Sequence, residues 1–168
     1  MSKYTKESIE FANFQENRTD KYISFLSGMT GYWQNITANP RNSQIDYQYT
    51  DKNNHSGVLE VKIRKCSYER FDEMFIEVEK YCALTGSTLT NDKATYINFL
   101  NDGFEEFWIC DIKKTMGKTP DIQRNVYIRN LNLPSENNYT ADRYLIKKEI
   151  GKHFVYDKKI NQYKEVKQ

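Results

Sequence analysis

Hydrophobic and polar positions alternate most cleanly in the first half of the chain. Ile45, Tyr47 and Tyr49 alternate with Asp46 and Gln48, and Leu59, Val61 and Ile63 alternate with Glu60, Lys62 and Arg64. A period of two marks a half-buried strand. Between the two runs, residues 50–57 are rich in Asp, Asn, Ser and Gly, the chemistry of a hairpin loop. The pattern predicts two antiparallel strands, and a loop centred near Asn53 sets Asp46 opposite Glu60. Glu60 and Lys62, two residues apart on one strand, share a face at a spacing of roughly 6.5–7 Å.

The other elements follow from the same reading. Residues 5–14 form a weak helical stretch. A better helix follows, capped by Asn17 or Thr19, with Tyr22, Ile23, Phe25, Leu26 and Met29 on its apolar face and Gly28 and Gly31 at its end. A short strand at residues 32–37 is closed by Asn39-Pro40. Phe71, Phe75, Ile76, Val78, Tyr81 and Cys82 or Leu84 recur at helical spacing, predicting a helix opened by Ser67 or Tyr68 and stopped at Gly86. Runs at 94–100 and 104–110 flank Asn101-Asp102-Gly103, the clearest short hairpin signal in the chain. Beyond Asp111 the pattern predicts an exposed loop at 113–123 and a short strand at 126–128, ended by Leu133-Pro134. A last helix at 140–150 carries Tyr144, Leu145 and Lys148 on one stripe. The order predicts a mixed α/β fold: a central mixed β-sheet flanked by helices, in one domain over 1–168. Its core spans about 15–112, followed by a basic C-terminal extension over 113–168.

Composition adds modest constraints. Thirteen Tyr and nine Phe among 168 residues predict an aromatic-rich core, with Trp33 and Trp108 in it. A net charge of +2 neither demands nor excludes nucleic acid, but the charge is uneven. Residues 140–168 carry eight basic against four acidic side chains, which makes this end the part best suited to track phosphates. Tyr127 and Tyr144 beside basic residues are candidates for stacking on bases. Cys66, Cys82 and Cys110, odd in number and without CxxC spacing, read as reduced, buried thiols. There is no 18-residue apolar run, and the N-terminus has no apolar signal core. The expectation is a soluble cytoplasmic protein with no membrane partner. His55, in the predicted loop, and His153, in the basic tail, lack metal-ligand company and are expected at the surface.

The chemistry gathers on the central hairpin. Cleaving a phosphodiester requires neutralising charge on the phosphate and producing hydroxide near neutral pH. Carboxylates holding a divalent ion meet both needs. Asp46 and Glu60 are the candidate ligands, with the Val61 carbonyl a third. Lys62 is placed to orient or help deprotonate water, or to stabilise transition-state charge. The Asp/Glu-x-Lys pattern occurs three more times, at Asp111, Asp157 and Glu165. Only the copy at Glu60 combines a strand, an apolar middle residue, an upstream strand aspartate and a following helix.

These residues resemble the PD-(D/E)XK nuclease superfamily, the restriction-endonuclease-like fold, over roughly residues 15–112. That family's order is a helix with an acidic residue, a strand aspartate, a Glu/Asp-x-Lys strand, a helix, and a further strand or hairpin. Asp46 matches the motif aspartate, and Glu60 and Lys62 match Glu-x-Lys. Asp20, or Glu16 one turn earlier, matches the helix acid that often supports a metal or its waters. Glu77 and Tyr81 resemble the Gln-x-x-x-Tyr element of exonuclease-like members, with Glu in place of Gln, and Ile45 stands where the namesake proline would be. The resemblance, strongest to small phage-encoded members, implies a Mg²⁺- or Mn²⁺-dependent DNA endonuclease. Such a protein would work in the cytoplasm of a bacterial or phage-infected cell, commonly as a homodimer. Arg64 and Lys65 are the basic residues best placed to contact substrate phosphate. The alternative is a catalytically inactive nuclease fold acting as a DNA-binding or protein-inhibiting module. A structural component of a phage particle is a third reading.

Overall fold

The computed structural model describes residues 6–40, 43–70, 72–117, 121–128 and 139–167. In chain order these form α1 (Lys6–Thr30), β1 (Trp33–Ala38), β2 (Tyr47–Asp51), β3 (Ser56–Ile63), β4 (Glu73–Glu77), α2 (Val78–Ser87) and β5 (Lys93–Phe99). Then come β6 (Glu106–Asp111), β7 (Asp121–Ile128), β8 (Tyr139–Lys147), β9 (Lys152–Asp157) and β10 (Gln162–Val166). Seven strands make one sheet in the order β1-β2-β3-β5-β6-β9-β10, and β4-β8-β7 make a second. In the large sheet only β3 and β5 run parallel. A parallel pair needs a long crossover, and β4 with α2 supplies it.

Period-two alternation along the strands sends two sets of side chains to opposite faces. On one face Tyr47, Tyr49, Leu59, Val61, Ile97, Phe99 and Phe107 pack with Ile23 and Leu26 of α1. On the other, Val58, Ala94, Tyr96, Trp108 and Cys110 pack with Tyr81 and Leu84 of α2 and with Met74, Ile76 and Ile146 of the small sheet. Glu60 and Lys62 belong to this second face, by their alternation with Leu59 and Val61. The mixed α/β class, the central mixed sheet, both hairpins and both core tryptophans match the sequence expectation.

Several expectations are corrected. The two N-terminal helices are one: Asn17 and Thr19 lie inside α1, and no Gly or Pro interrupts residues 6–27. Gly31, at φ +57°, ends it by donating its N–H to Ser27 O. The helix predicted from Ser67 or Tyr68 begins only at Val78. Before it, a 3₁₀ turn (Tyr68–Arg70) leads into β4, where Met74 and Ile76 point inward and the strand pairs with β8. Residues 140–150 form β8 and a short 3₁₀ turn (Lys148–Ile150) rather than a helix, because β8 is clasped between β4 and β7. Tyr144 accordingly packs against Tyr81 in the core. The predicted loop at 113–123 contains a 3₁₀ turn (Ile112–Thr115) with Thr115 buried, and its last residues begin β7.

The polar C-terminus is β9 and β10, which extend the large sheet. His153 is buried there, stacked on Tyr68 and in contact with Glu106 Oε1 at 2.8 Å. Of the three free cysteines only Cys110 is buried, and burial pushes its thiol up to about 12. Cys82 is exposed. The Leu133-Pro134 stop and the Tyr127 side chain lie outside the described residues. No described helix is long and apolar enough to cross a membrane.

Candidate active site

The site is built on the β2–β3 hairpin, and its register is set at the turn. Asp51 Oδ1 accepts the Asn53 and His55 backbone N–H groups at 2.8 and 3.0 Å, and Oδ2 takes the Lys93 ammonium at 2.7 Å. The Lys93 ammonium, against the pull of burial and with help from His55 and Asn53, holds the Asp51 carboxyl well below the usual carboxylate range. Tyr47 consequently pairs with Leu59, and one step further out Asp46 faces Glu60, as the sequence predicts.

A depressed carboxyl contributes stability that is present above its unfolded pKa, about 3.9, and lost as the pH falls through its lower folded value. We expect Asp51→Asn to lower the melting temperature at pH 7. The gap to wild type should close as the pH is taken from 4 towards 2. A gap independent of pH in thermal melts would show that the Asp51 charge does not carry the effect.

Glu60 is fully buried, while Asp46 is about one third exposed. Asp46 Oδ2 accepts the Val61 backbone N–H at 2.8 Å, which aims its other oxygen away from the strand. Lys62 Nζ lies 3.1 Å from Glu60 Oε1, as an ion pair. Lys80, on the first turn of α2, donates to Glu60 Oε2 at 3.1 Å and lies 3.9 Å from Asp46 Oδ1. Two oxygens that close to one nitrogen are at most about 7 Å apart; one cation with ligand distances of ~2.0–2.6 Å spans up to about 5 Å, so sharing it would draw the two carboxylates together by up to about 2 Å.

Burial pushes the Glu60 carboxyl up, and the neighbouring Asp46 adds to this, while Lys62 and Lys80 pull it back. Burial alone would lower Lys62. Glu60, with Glu77, Tyr96 and Asp46 behind it, more than offsets this and holds the ammonium above the usual lysine range.

The wall beside Lys62 is a locked polar network. Asn98 pairs with Lys62 across the parallel strands and is fully buried. Its Oδ1 accepts Arg64 Nε at 2.9 Å, and Arg64 Nη2 donates to the Phe75 carbonyl and the Tyr96 hydroxyl, each at 2.9 Å. The Arg64 guanidinium also lies 3.9 Å from the Phe75 ring centroid. Arg64, expected to contact substrate, is thus spent on positioning β5 and β4. Asn98 Nδ2 has no hydrogen-bond partner.

The other predicted residues are dispersed. Asp20 sits on α1 across the sheet, where the Tyr47 hydroxyl donates to it at 2.5 Å. Burial, and then Asp20, raise the Tyr47 hydroxyl well above its usual range. Glu16 is exposed one turn earlier. Glu77 ends β4 at the N-cap position of α2 and reaches Lys62 only through its charge. Tyr81 is a core residue bonded to Thr115 at 2.8 Å. Lys65 is exposed.

The rival copy does not form a comparable site. Asp111 pairs with Thr95, on the α1 side of the sheet. Asp111 Oδ1 accepts the Lys113 backbone N–H, and the Lys113 ammonium bonds the Asn91 and Asp92 carbonyls. Among the described residues no cluster of three or more His, Cys, Asp or Glu is arranged to hold a metal. A divalent ion here would draw on the Asp46 and Glu60 carboxylates, the Val61 carbonyl and water. These are hard oxygen donors that suit Mg²⁺ or Mn²⁺, and the Glu60 oxygen without a hydrogen bond is consistent with such a use. Sequence reasoning misses Lys80 and Asn98; the only signal for Lys80 is its place at the start of the helix after Glu-x-Lys. Comparison with known proteins gave no match to a family model, a curated protein or a solved structure.

Proposed function

We propose that the protein is a metal-dependent nuclease that hydrolyses phosphodiester bonds in DNA. One observation carries the reading: Asp46, Glu60 and Lys62 meet on one face, with the two carboxylates converging on a single ammonium, that of Lys80. The order of the elements supports it. Helix α1, the Asp46 segment, the Glu60-x-Lys62 strand, helix α2 and the β5–β6 hairpin follow the order expected from the PD-(D/E)XK resemblance. A Mg²⁺ or Mn²⁺ ion would neutralise phosphate charge and acidify a water. Lys62, held above the usual lysine range by Glu60, is suited to stabilise developing negative charge and orient the water. Glu60 needs its countercharges because it is fully buried.

A second reading, a nuclease fold that binds DNA or another protein without cleaving, is favoured by Lys80. Its ammonium already balances both carboxylates. Incubation with plasmid, linear DNA and RNA in Mg²⁺ or Mn²⁺ separates the two. Cleavage that depends on metal supports the nuclease, and DNA retention without cleavage supports the module. No affinity for nucleic acid at low salt would sink both nucleic-acid readings. Sedimentation of the same sample tests the homodimer.

A further inference from the structure

We infer that Lys80 is a tethered competitor for the divalent ion, occupying the position between Asp46 and Glu60 until a metal displaces it. The inference rests on the metal-site reading above and assigns a residue that neither the sequence pattern nor the family resemblance marks.

Three observations carry it. The Lys80 ammonium is the one described cation in contact with both carboxylates, at 3.1 and 3.9 Å, whereas Lys62 meets only Glu60. Lys80 also occupies the first turn of α2, the end of a helix where the backbone dipole disfavours a positive charge. Its placement there is explained by the carboxylates it faces and not by the helix it belongs to. Finally, Glu60 is fully buried and Asp46 lies beside it, so without a cation between them two negative charges would face each other in a poorly solvated site.

A lysine is suited to this temporary role. It is a compact point charge on a flexible four-carbon stem, and it can leave without disturbing the backbone. Lys80 retains some solvent exposure, 18%, which gives the displaced ammonium a way out. A divalent ion entering between the carboxylates would meet this charge directly, so the ion and the ammonium exclude one another. The two carboxylates are thereby compensated both before a metal arrives and after it.

Mn²⁺ binding, followed by electron paramagnetic resonance at low ionic strength, tests this with wild type, Lys80→Met, Lys80→Arg and Asp46→Ala. Removing a charged hydrogen bond that opposes binding should tighten Mn²⁺ on the order of tenfold to a hundredfold in Lys80→Met. Lys80→Arg should bind like wild type, and Asp46→Ala should bind poorly. Equal or weaker binding by Lys80→Met would overturn the competition while leaving the metal site standing. Absence of binding by wild type and Lys80→Met alike would overturn both. Should Lys80→Met fold poorly, the wild-type protein answers alone: the Lys80 ¹³Cε resonance must shift as Mg²⁺ is titrated. A resonance unmoved while Mg²⁺ binds contradicts the inference.

Discussion

Cleavage of DNA in Mg²⁺ or Mn²⁺ is expected to fall about 10²–10⁴-fold in Lys62→Ala, and to background in Asp46→Ala, with both variants still folded. Lys62 is part-exposed, and on the proposed reading its removal would take away the charge that faces the reacting phosphate, while Lys80 before metal binding, or the ion after it, would still compensate Glu60. The rate constant should suffer more than the apparent affinity for DNA, because the interaction strengthens as charge develops. Asp46 is different in kind. Its carboxylate is one of the two proposed to hold the ion, so its loss would remove metal as well as rate. Gel assays under saturating metal, beside circular dichroism of each variant, give the measurement. Full activity in Lys62→Ala would end the assignment of this face as catalytic.

The largest effect on stability is expected from Trp108→Ala, a loss of about 3–5 kcal/mol in urea denaturation and a fall in melting temperature on the order of 10 °C. Trp108 is fully buried on the face that carries the site, with Tyr96 edge-on at 6.3 Å between ring centroids. Its indole N–H donates to Lys148 O at 2.9 Å. The ring presses so closely on Gly151 that a Cβ there would lie 2.4 Å from it, so the cavity left by alanine would be large and the Lys148 carbonyl would lose its donor. Trp108→Phe should recover part of the loss, since it restores area but not the hydrogen bond. Equal losses in the two variants would mean that the hydrogen bond dominates.

Legibility in the sequence follows the strength of local pattern. The β2–β3 hairpin is readable because alternation, turn residues and polar spacing all agree there, and that agreement alone sets Asp46 opposite Glu60. β4 is not readable: Met74 and Ile76 fit a strand's alternation, but Phe75, Ile76, Val78 and Tyr81 recur at helical spacing across the β4–α2 boundary, and a short apolar run cannot decide between them. What decides is β8, far along the chain, whose pairing is a tertiary fact. β9 and β10 are hidden by their lysines, since much of their outer faces is exposed while His153, Phe154, Tyr156 and Tyr163 turn toward neighbours. Lys80 is invisible for a related reason. Nothing in a helix sequence says which lysine will reach across to another strand.

The bond from the Val61 amide to Asp46 Oδ2 has a practical consequence. One strand amide proton reports directly on the state of the candidate ligand. Its chemical shift in a ¹⁵N-correlated spectrum reads the charge on that carboxylate, and its exchange with deuterated solvent reads whether the carboxylate is in place. The site therefore carries its own probe, and occupancy can be followed residue by residue in an unmodified protein before a substrate is identified.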